Sequence, residues 1–136
     1  MILQPKQIQK VITLVTEQIG VVKGIYVFGS GAGTGYTDES DVDLALLPQK
    51  QIATEVLWEL KNQLSDLVRR EVDLVDLSVA TTVLAMQVVS GGVRIYSSEP
   101  LASERYETLI FSMYLTLNDD RKGILEEIEK NKTIYG

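Results

Sequence analysis

The sequence predicts an α/β fold: a small mixed β-sheet flanked by helices, with a long C-terminal helix. Two observations carry this. Apolar residues at helical spacing alternate with short β-branched and aromatic runs, in the order α-β-β-α-β-α-β-α. That order gives a mixed sheet covered by helices. The second observation is a single helical pattern from about Leu101 to about Lys130, with a break expected near Gly123.

The elements follow in order. Pro5 suits the first turn of a helix, and Ile8, Val11, Ile12, Val15 and Ile19 mark one face, with Gly20 as the stop. Gly24 to Phe28 reads as a strand. Gly29 to Ser40 is a long loop rich in Gly, Thr, Ser and Asp. Val42 to Leu47 is a second strand, closed by Pro48. Residues 53–68 read as a helix with Val56, Leu57, Leu60, Leu64 and Leu67 on one side. Val72 to Leu77 is a third strand. Ser78 is the expected N-cap of a helix over Val79 to Val89 that ends at Gly91-Gly92. Val93 to Tyr96 is a short fourth strand. One domain is expected over residues 1–136, with its core at about 5–97 and a helical segment at about 101–130.

Composition narrows the chemistry. The 136 residues are 45% hydrophobic and 24% charged, which is ordinary globular composition. A net charge of −6 disfavours a large nucleic-acid footprint, which needs a basic stripe. There is no cysteine and no histidine. That excludes thiol nucleophiles, zinc-thiolate sites, Ser-His-Asp triads and imidazole bases. Acid–base or metal chemistry must run on carboxylates, lysine, tyrosine or hydroxyls. No apolar run approaches the roughly 18 residues of a membrane span, and Met1 to Lys6 lacks a signal peptide's regions. A cytoplasmic protein is expected.

The informative stretch is Gly29-Ser30, ten further residues, then Asp41-Val42-Asp43. A strand delivers a turn of small residues whose backbone can approach phosphate. A second strand delivers Asp41 and Asp43 on one face, because side chains repeat every two residues. Magnesium binds through one or two carboxylates plus substrate phosphates. Singly, an Asp-x-Asp or a Gly-Ser is more often structural than functional. Together, between two strands, they point to a nucleoside triphosphate with magnesium.

This stretch resembles the signature of nucleotidyltransferases of the DNA polymerase β superfamily. The short chain and the early placement look like the minimal nucleotidyltransferases, the MNT or MntA-like group. The resemblance covers roughly residues 5–130. It implies a polymerase β-like fold, ATP as nucleotidyl donor and two Mg2+ ions. It also implies a third carboxylate on a later strand, which here is Asp73. Glu71 and Asp76 compete for that place, but Asp76 points to the opposite strand face and Glu71 lies at the strand entrance. Asp41, Asp43 and Asp73 are thus the implied metal ligands and catalytic residues, and Gly29 and Ser30 the phosphate-binding pair. Asp73 could also accept the proton of the attacking hydroxyl.

The sequence departs from the family in one place. The family carries arginines just after Gly-Ser, where this chain has Gly31 and Gly33, and no Lys or Arg occurs between Lys23 and Lys50. Arg69, Arg70 and Arg94 are the candidates for a basic group supplied from elsewhere in the chain, though such residues are more often surface or structural, and a partner protein is the other source. An Arg introduced at position 31 or 33 is expected to tighten ATP binding.

Minimal nucleotidyltransferases commonly accompany a HEPN-domain protein. The resemblance therefore implies an antitoxin that transfers AMP to a tyrosine of a HEPN toxin. Alternatives are contact-only neutralisation of that partner, or nucleotidyl transfer to a small molecule. The C-terminal helix is the expected docking surface. Tyr106, Leu109, Ile110, Met113 and Leu117 form the stripe expected to face the sheet, leaving Phe111, Tyr114 and Leu115 for a partner. Trp58 is expected at the surface, Tyr26 in the core and Tyr36 in an exposed loop. Arg121 to Lys132 reads as a solvated face of mixed charge.

Overall fold

The computed structural model describes residues 1–135, and side chains through Gly123. The element order is α1 (Pro5–Ile19), β1 (Val22–Phe28), a 3-10 turn (Gly29–Ala32), β2 (Val42–Pro48), α2 (Thr54–Val68), β3 (Val72–Asp76), α3 (Thr82–Gly91), β4 (Val93–Tyr96) and α4 (Pro100–Tyr135). The strands lie in the order β3-β2-β1-β4. β1 runs antiparallel to both β2 and β4, and β2 runs parallel to β3, with α2 as the crossover. The expected mixed sheet between helices is what forms.

The two sheet faces have different coverings. On one, Val11 and Val15 of α1 and Leu60, Leu64 and Val68 of α2 pack on Ile25, Val27, Leu44, Leu46 and Val72. On the other, Ala85 and Val88 of α3 and Ile110 of α4 pack on Tyr26, Ala45 and Leu47. β2 is apolar on both sides because it is a central strand with both faces covered. Ile2 and Leu3 are also buried in the first cluster.

α1 starts at Pro5, whose missing N–H would be unsatisfied in a first turn anyway. It stops at Gly20, which takes φ 85° and donates its N–H to Thr16 O. β1 begins two residues earlier than the apolar run suggests. An irregularity between Val22 and Gly24 leaves Lys23 outside the ladder. Its carbonyl instead accepts the hydroxyls of Ser97 (2.7 Å) and Ser103 (2.8 Å). Ser103 is fully buried, so this pair of bonds ties α4 to β1.

Several expectations are corrected. α3 is capped by Thr81, whose hydroxyl accepts Leu84 N–H at 3.2 Å, and not by Ser78. Ser78 is drawn away by Asp76, which takes both its N–H and its O–H. Val56 is 39% exposed, because α2 turns Leu60, Leu64 and Val68 inward. Tyr36 is half-buried and packs against the first cluster rather than standing free in its loop. No break occurs at Gly123, and α4 is continuous. The face that α4 turns to the sheet is only in part the one its apolar residues suggested: Tyr106, Ile110 and Leu117 fall on it, Leu109 and Met113 do not. Ser103 and Ile110 are buried, Tyr106, Glu107, Tyr114 and Leu117 half-buried, and Leu109 and Met113 exposed. The docked face includes polar residues that hydrogen-bond, so an apolar count alone misplaced part of it. Tyr26 is buried and Trp58 is 67% exposed, both as expected. Within the expected mixed-charge face, Arg121 and Lys122 are exposed, while residues 124–132 lie outside the described side chains.

Candidate active site

Three chain segments meet at one end of the sheet. β1 ends at Phe28 and the chain turns at Gly29. β2 enters with Asp41 just before Val42, and β3 enters with Glu71 before Val72. In the ladder, Asp43 is the partner of Phe28 on one side and of Asp73 on the other. Register partners in neighbouring strands point to the same face, so Asp43 and Asp73 stand side by side. They share a face with Ala45 and Val75, which lie over the α3–α4 cluster. Asp73 is exposed and Asp43 half-buried, so this end of the face is open.

Gly29 is required on two counts. Its φ of +67° lies in the left-handed region that favours glycine. A Cβ at this position would also collide with the carboxylate oxygen Oδ2 of Asp43. The missing side chain therefore lets the Asp43 carboxylate pack directly against the backbone of the turn. Ser30 follows at the exposed surface.

The electrostatics match a cation site. Burial raises the Asp43 pKa above the ordinary carboxylate value, and the charges of Asp73 and then Asp41 raise it further. Three carboxylates that repel one another are stabilised by a cation between them. Among the described residues no group of three or more acidic side chains is placed to hold a metal ion by itself. An open set is what magnesium uses when substrate phosphates supply the other ligands. The donor set thus fits magnesium that arrives with a nucleotide.

The competing carboxylates separate cleanly. Asp76 is 4% exposed and accepts Ile52 N–H at 2.8 Å through one oxygen and Ser78 N–H and O–H through the other. It holds the entry to α2 and is not free for a ligand. Glu71 is exposed at the strand entrance, and its carbonyl accepts Val42 N–H. Tyr26 cannot stack on a base. It is 1% exposed, and its hydroxyl donates to Glu107 at 3.1 Å. Burial, with the charge of Glu107, pushes its pKa up to about 12. Arg94 pairs with the same Glu107 at 3.3 Å.

The arginine departure reads differently in three dimensions. Gly31 is buried, and Ile2 N–H donates to its carbonyl at 2.8 Å. A Cβ on Gly31 would lie 2.6 Å from Cγ2 of Ile2 and 3.2 Å from its Cβ. This glycine packs the N-terminal segment against the loop and has no room for a longer side chain. Gly33 is exposed with nothing near its Cβ position. The expectation that Arg at either position would tighten ATP binding is therefore corrected at position 31. Gly31→Arg should destabilise the protein by about 1–3 kcal/mol through overpacking. Gly33→Arg should leave stability within about 0.5 kcal/mol. Thermal denaturation of the two variants checks this. Equal melting temperatures would contradict the packing role of Gly31.

Of the two readings the sequence left for Arg70, a basic group for the triphosphate or a structural arginine, its contacts are those of the second. Its Nη1 donates to the carbonyls of Thr37 (2.9 Å), Asp38 (3.3 Å) and Ser40 (2.9 Å). No local pattern signals a bond across 30 residues.

Comparison with known proteins gives the chain's family and fold relatives. The family model described as polymerase beta, nucleotidyltransferase matches residues 9–101. The protein adenylyltransferase MntA of Shewanella oneidensis is 33% identical over 122 residues, covering 90% of this chain and 87% of that protein. A crystal structure of a toxin–antitoxin with AMP-PNP matches with a TM-score of 0.80 and 32% identity, covering 89% of this chain and 97% of the other. A structure of tri-AMPylated Shewanella oneidensis HEPN toxin in complex with MNT antitoxin matches with a TM-score of 0.78 and 31% identity, covering 93% of this chain and 98% of the other.

Proposed function

The chain belongs to the polymerase beta nucleotidyltransferase family, and on that premise we propose that it transfers AMP from ATP to a tyrosine hydroxyl of a HEPN-domain toxin, as that toxin's antitoxin. The observation that carries the reading is the juxtaposition of Gly29, Asp43 and Asp73. A left-handed glycine turn lies directly against one carboxylate, which stands beside a second from the neighbouring strand. A cytoplasmic location fits the reading, and among the described residues no helix is long and apolar enough to cross a membrane.

Each residue has a chemical task. The Gly29–Ser30 backbone and the Ser30 hydroxyl bind the β- and γ-phosphates. Asp41, Asp43 and Asp73 would hold magnesium, which would neutralise the triphosphate and the leaving group. The acceptor oxygen attacks the α-phosphorus, a new O–P bond forms, and the bond from that phosphorus to pyrophosphate breaks. Asp73, exposed at the edge of the sheet, accepts the hydroxyl proton. No imidazole is available for that step. The test is to incubate the protein with its HEPN partner, ATP and magnesium, and to weigh the partner for added AMP.

The partner docks on the outward face of α4. Phe111 is 41% exposed and Leu115 63%, with Leu109 and Met113 also exposed. Half-buried Tyr114 contributes less than the sequence suggested. Phe111→Ala and Leu115→Ala should each weaken partner binding by about 2 kcal/mol, the scale of an interface hot spot. Their melting temperatures should hardly move, because both side chains are exposed. Normal partner affinity in both variants, measured by calorimetry, would place the interface elsewhere.

A further inference from the structure

Arg70 joins two segments that the transfer reaction must keep in register. It follows Arg69, which ends α2 in the left-handed conformation (φ 56°), the one non-glycine residue among those described with positive φ. The chain then enters β3, which carries Asp73. From that entrance the Arg70 guanidinium reaches the end of the loop that leads into β2, which carries Asp41 and Asp43. It donates to the carbonyls of Thr37, Asp38 and Ser40. One residue on, the Glu71 carbonyl accepts Val42 N–H at 2.9 Å. The strand entrances are thus bound to each other by a side chain and by the backbone, immediately before the residues that carry the acidic groups.

The loop segment is also closed on itself. Thr37 N–H donates to Ser40 Oγ at 2.8 Å, and Ser40 N–H to Thr37 O at 3.1 Å. Asp41 comes next, exposed between this turn and the strand entrance at Val42. Among the described residues the one ion pair is Arg94–Glu107, so Arg70 is committed to these carbonyls and to no carboxylate.

We propose that Arg70 is a positioning residue for nucleotidyl transfer, acting through the turn at 37–40 to set Asp41 against Asp43 and Asp73. The role rests on the transferase reading above. A planar guanidinium can engage several carbonyls in a fixed fork, whereas an ammonium engages them as a point charge, so lysine should serve only in part.

The test uses the full chain with the HEPN partner and compares wild type, Arg70→Ala and Arg70→Lys. AMP transfer is measured against magnesium and against partner concentration, with hydrogen exchange at residues 37–40 as the structural readout. In Arg70→Ala we expect kcat to fall about tenfold or more, since small misplacements of reacting groups carry such costs. The half-saturating magnesium concentration should rise severalfold and KM for the partner should stay the same. Exchange at 37–40 should quicken, and Arg70→Lys should recover part of kcat. A merely structural bond would change exchange and leave the magnesium dependence alone. A folded Arg70→Ala with kcat and magnesium midpoint within about twofold of wild type overturns the role. Should Arg70→Ala not fold, the same readouts on Arg70→Lys decide, with wild-type values again overturning it. A wild-type protein that transfers nothing contradicts the transferase reading and removes the role with it. An active wild type beside an unaffected variant removes the role alone.

Discussion

Asp→Asn at position 43 should abolish most nucleotidyl transfer while leaving the protein folded. Asp43 is the centre of the acidic group, flanked in register by Asp73 and raised in pKa by burial and by both neighbouring carboxylates. Asparagine keeps the shape and removes the charge that would hold a metal. The loss should be at least about 10²-fold in kcat, comparable to removing one major electrostatic group from a preorganised site. The same substitution at Asp41 or Asp73 should act in the same direction, and the Asp41→Asn, Asp43→Asn double variant should show no transfer. Stability should be unchanged or slightly higher without metal, because one of three repelling charges has gone. A steady-state assay alongside thermal denaturation separates the two effects. Full transfer by the double variant would falsify the assignment of the site.

Gly29→Ala should be nearly as damaging, for a different reason. A Cβ at this position meets Asp43 Oδ2, and the residue sits at φ +67°. The left-handed conformation alone costs a non-glycine residue roughly 1–2 kcal/mol. The collision adds to this by pushing either the turn or the Asp43 carboxylate out of place. A displacement of about 1 Å in a reacting group can lower a rate about 100-fold. Gly29→Ala should therefore lose both stability and ATP binding. Gly33→Ala, at an open and exposed position, serves as the control and should change neither. Equal ATP affinity in Gly29→Ala and wild type, by calorimetry with magnesium, would contradict the role of this turn.

The parts of the site that were legible in the sequence are those governed by strand periodicity. Residues two apart share a face, which separates Asp73 from Asp76 in the sequence itself, and Asp76 indeed turns to Ile52 and Ser78. The glycine turn and the Asp-x-Asp pair were legible because they sit between two apolar runs. What stayed hidden depends on contacts distant in sequence. That Gly31 faces Ile2 follows from how the N-terminal segment packs, and not from the spacing of the motif. The grip of Arg70 on residues 37–40 spans about a quarter of the chain in sequence and has no local signature. The docked face of α4 was misread in part, because Ser103 is buried through a hydrogen bond to the Lys23 carbonyl, while the apolar Leu109 and Met113 face outward. The cap of α3 moved from Ser78 to Thr81 because Asp76 competes for the serine.

The central claim is that the chain is an AMP-transferring enzyme and not a protein that neutralises its partner by contact alone. The most direct measurement uses ATP labelled separately at the α- and γ-phosphates, with magnesium, the purified chain and its HEPN partner. The α-label should appear on a partner tyrosine, the γ-label should not, and the Asp41→Asn, Asp43→Asn variant should deliver neither. A partner that is bound and inhibited yet carries no α-label would contradict the claim.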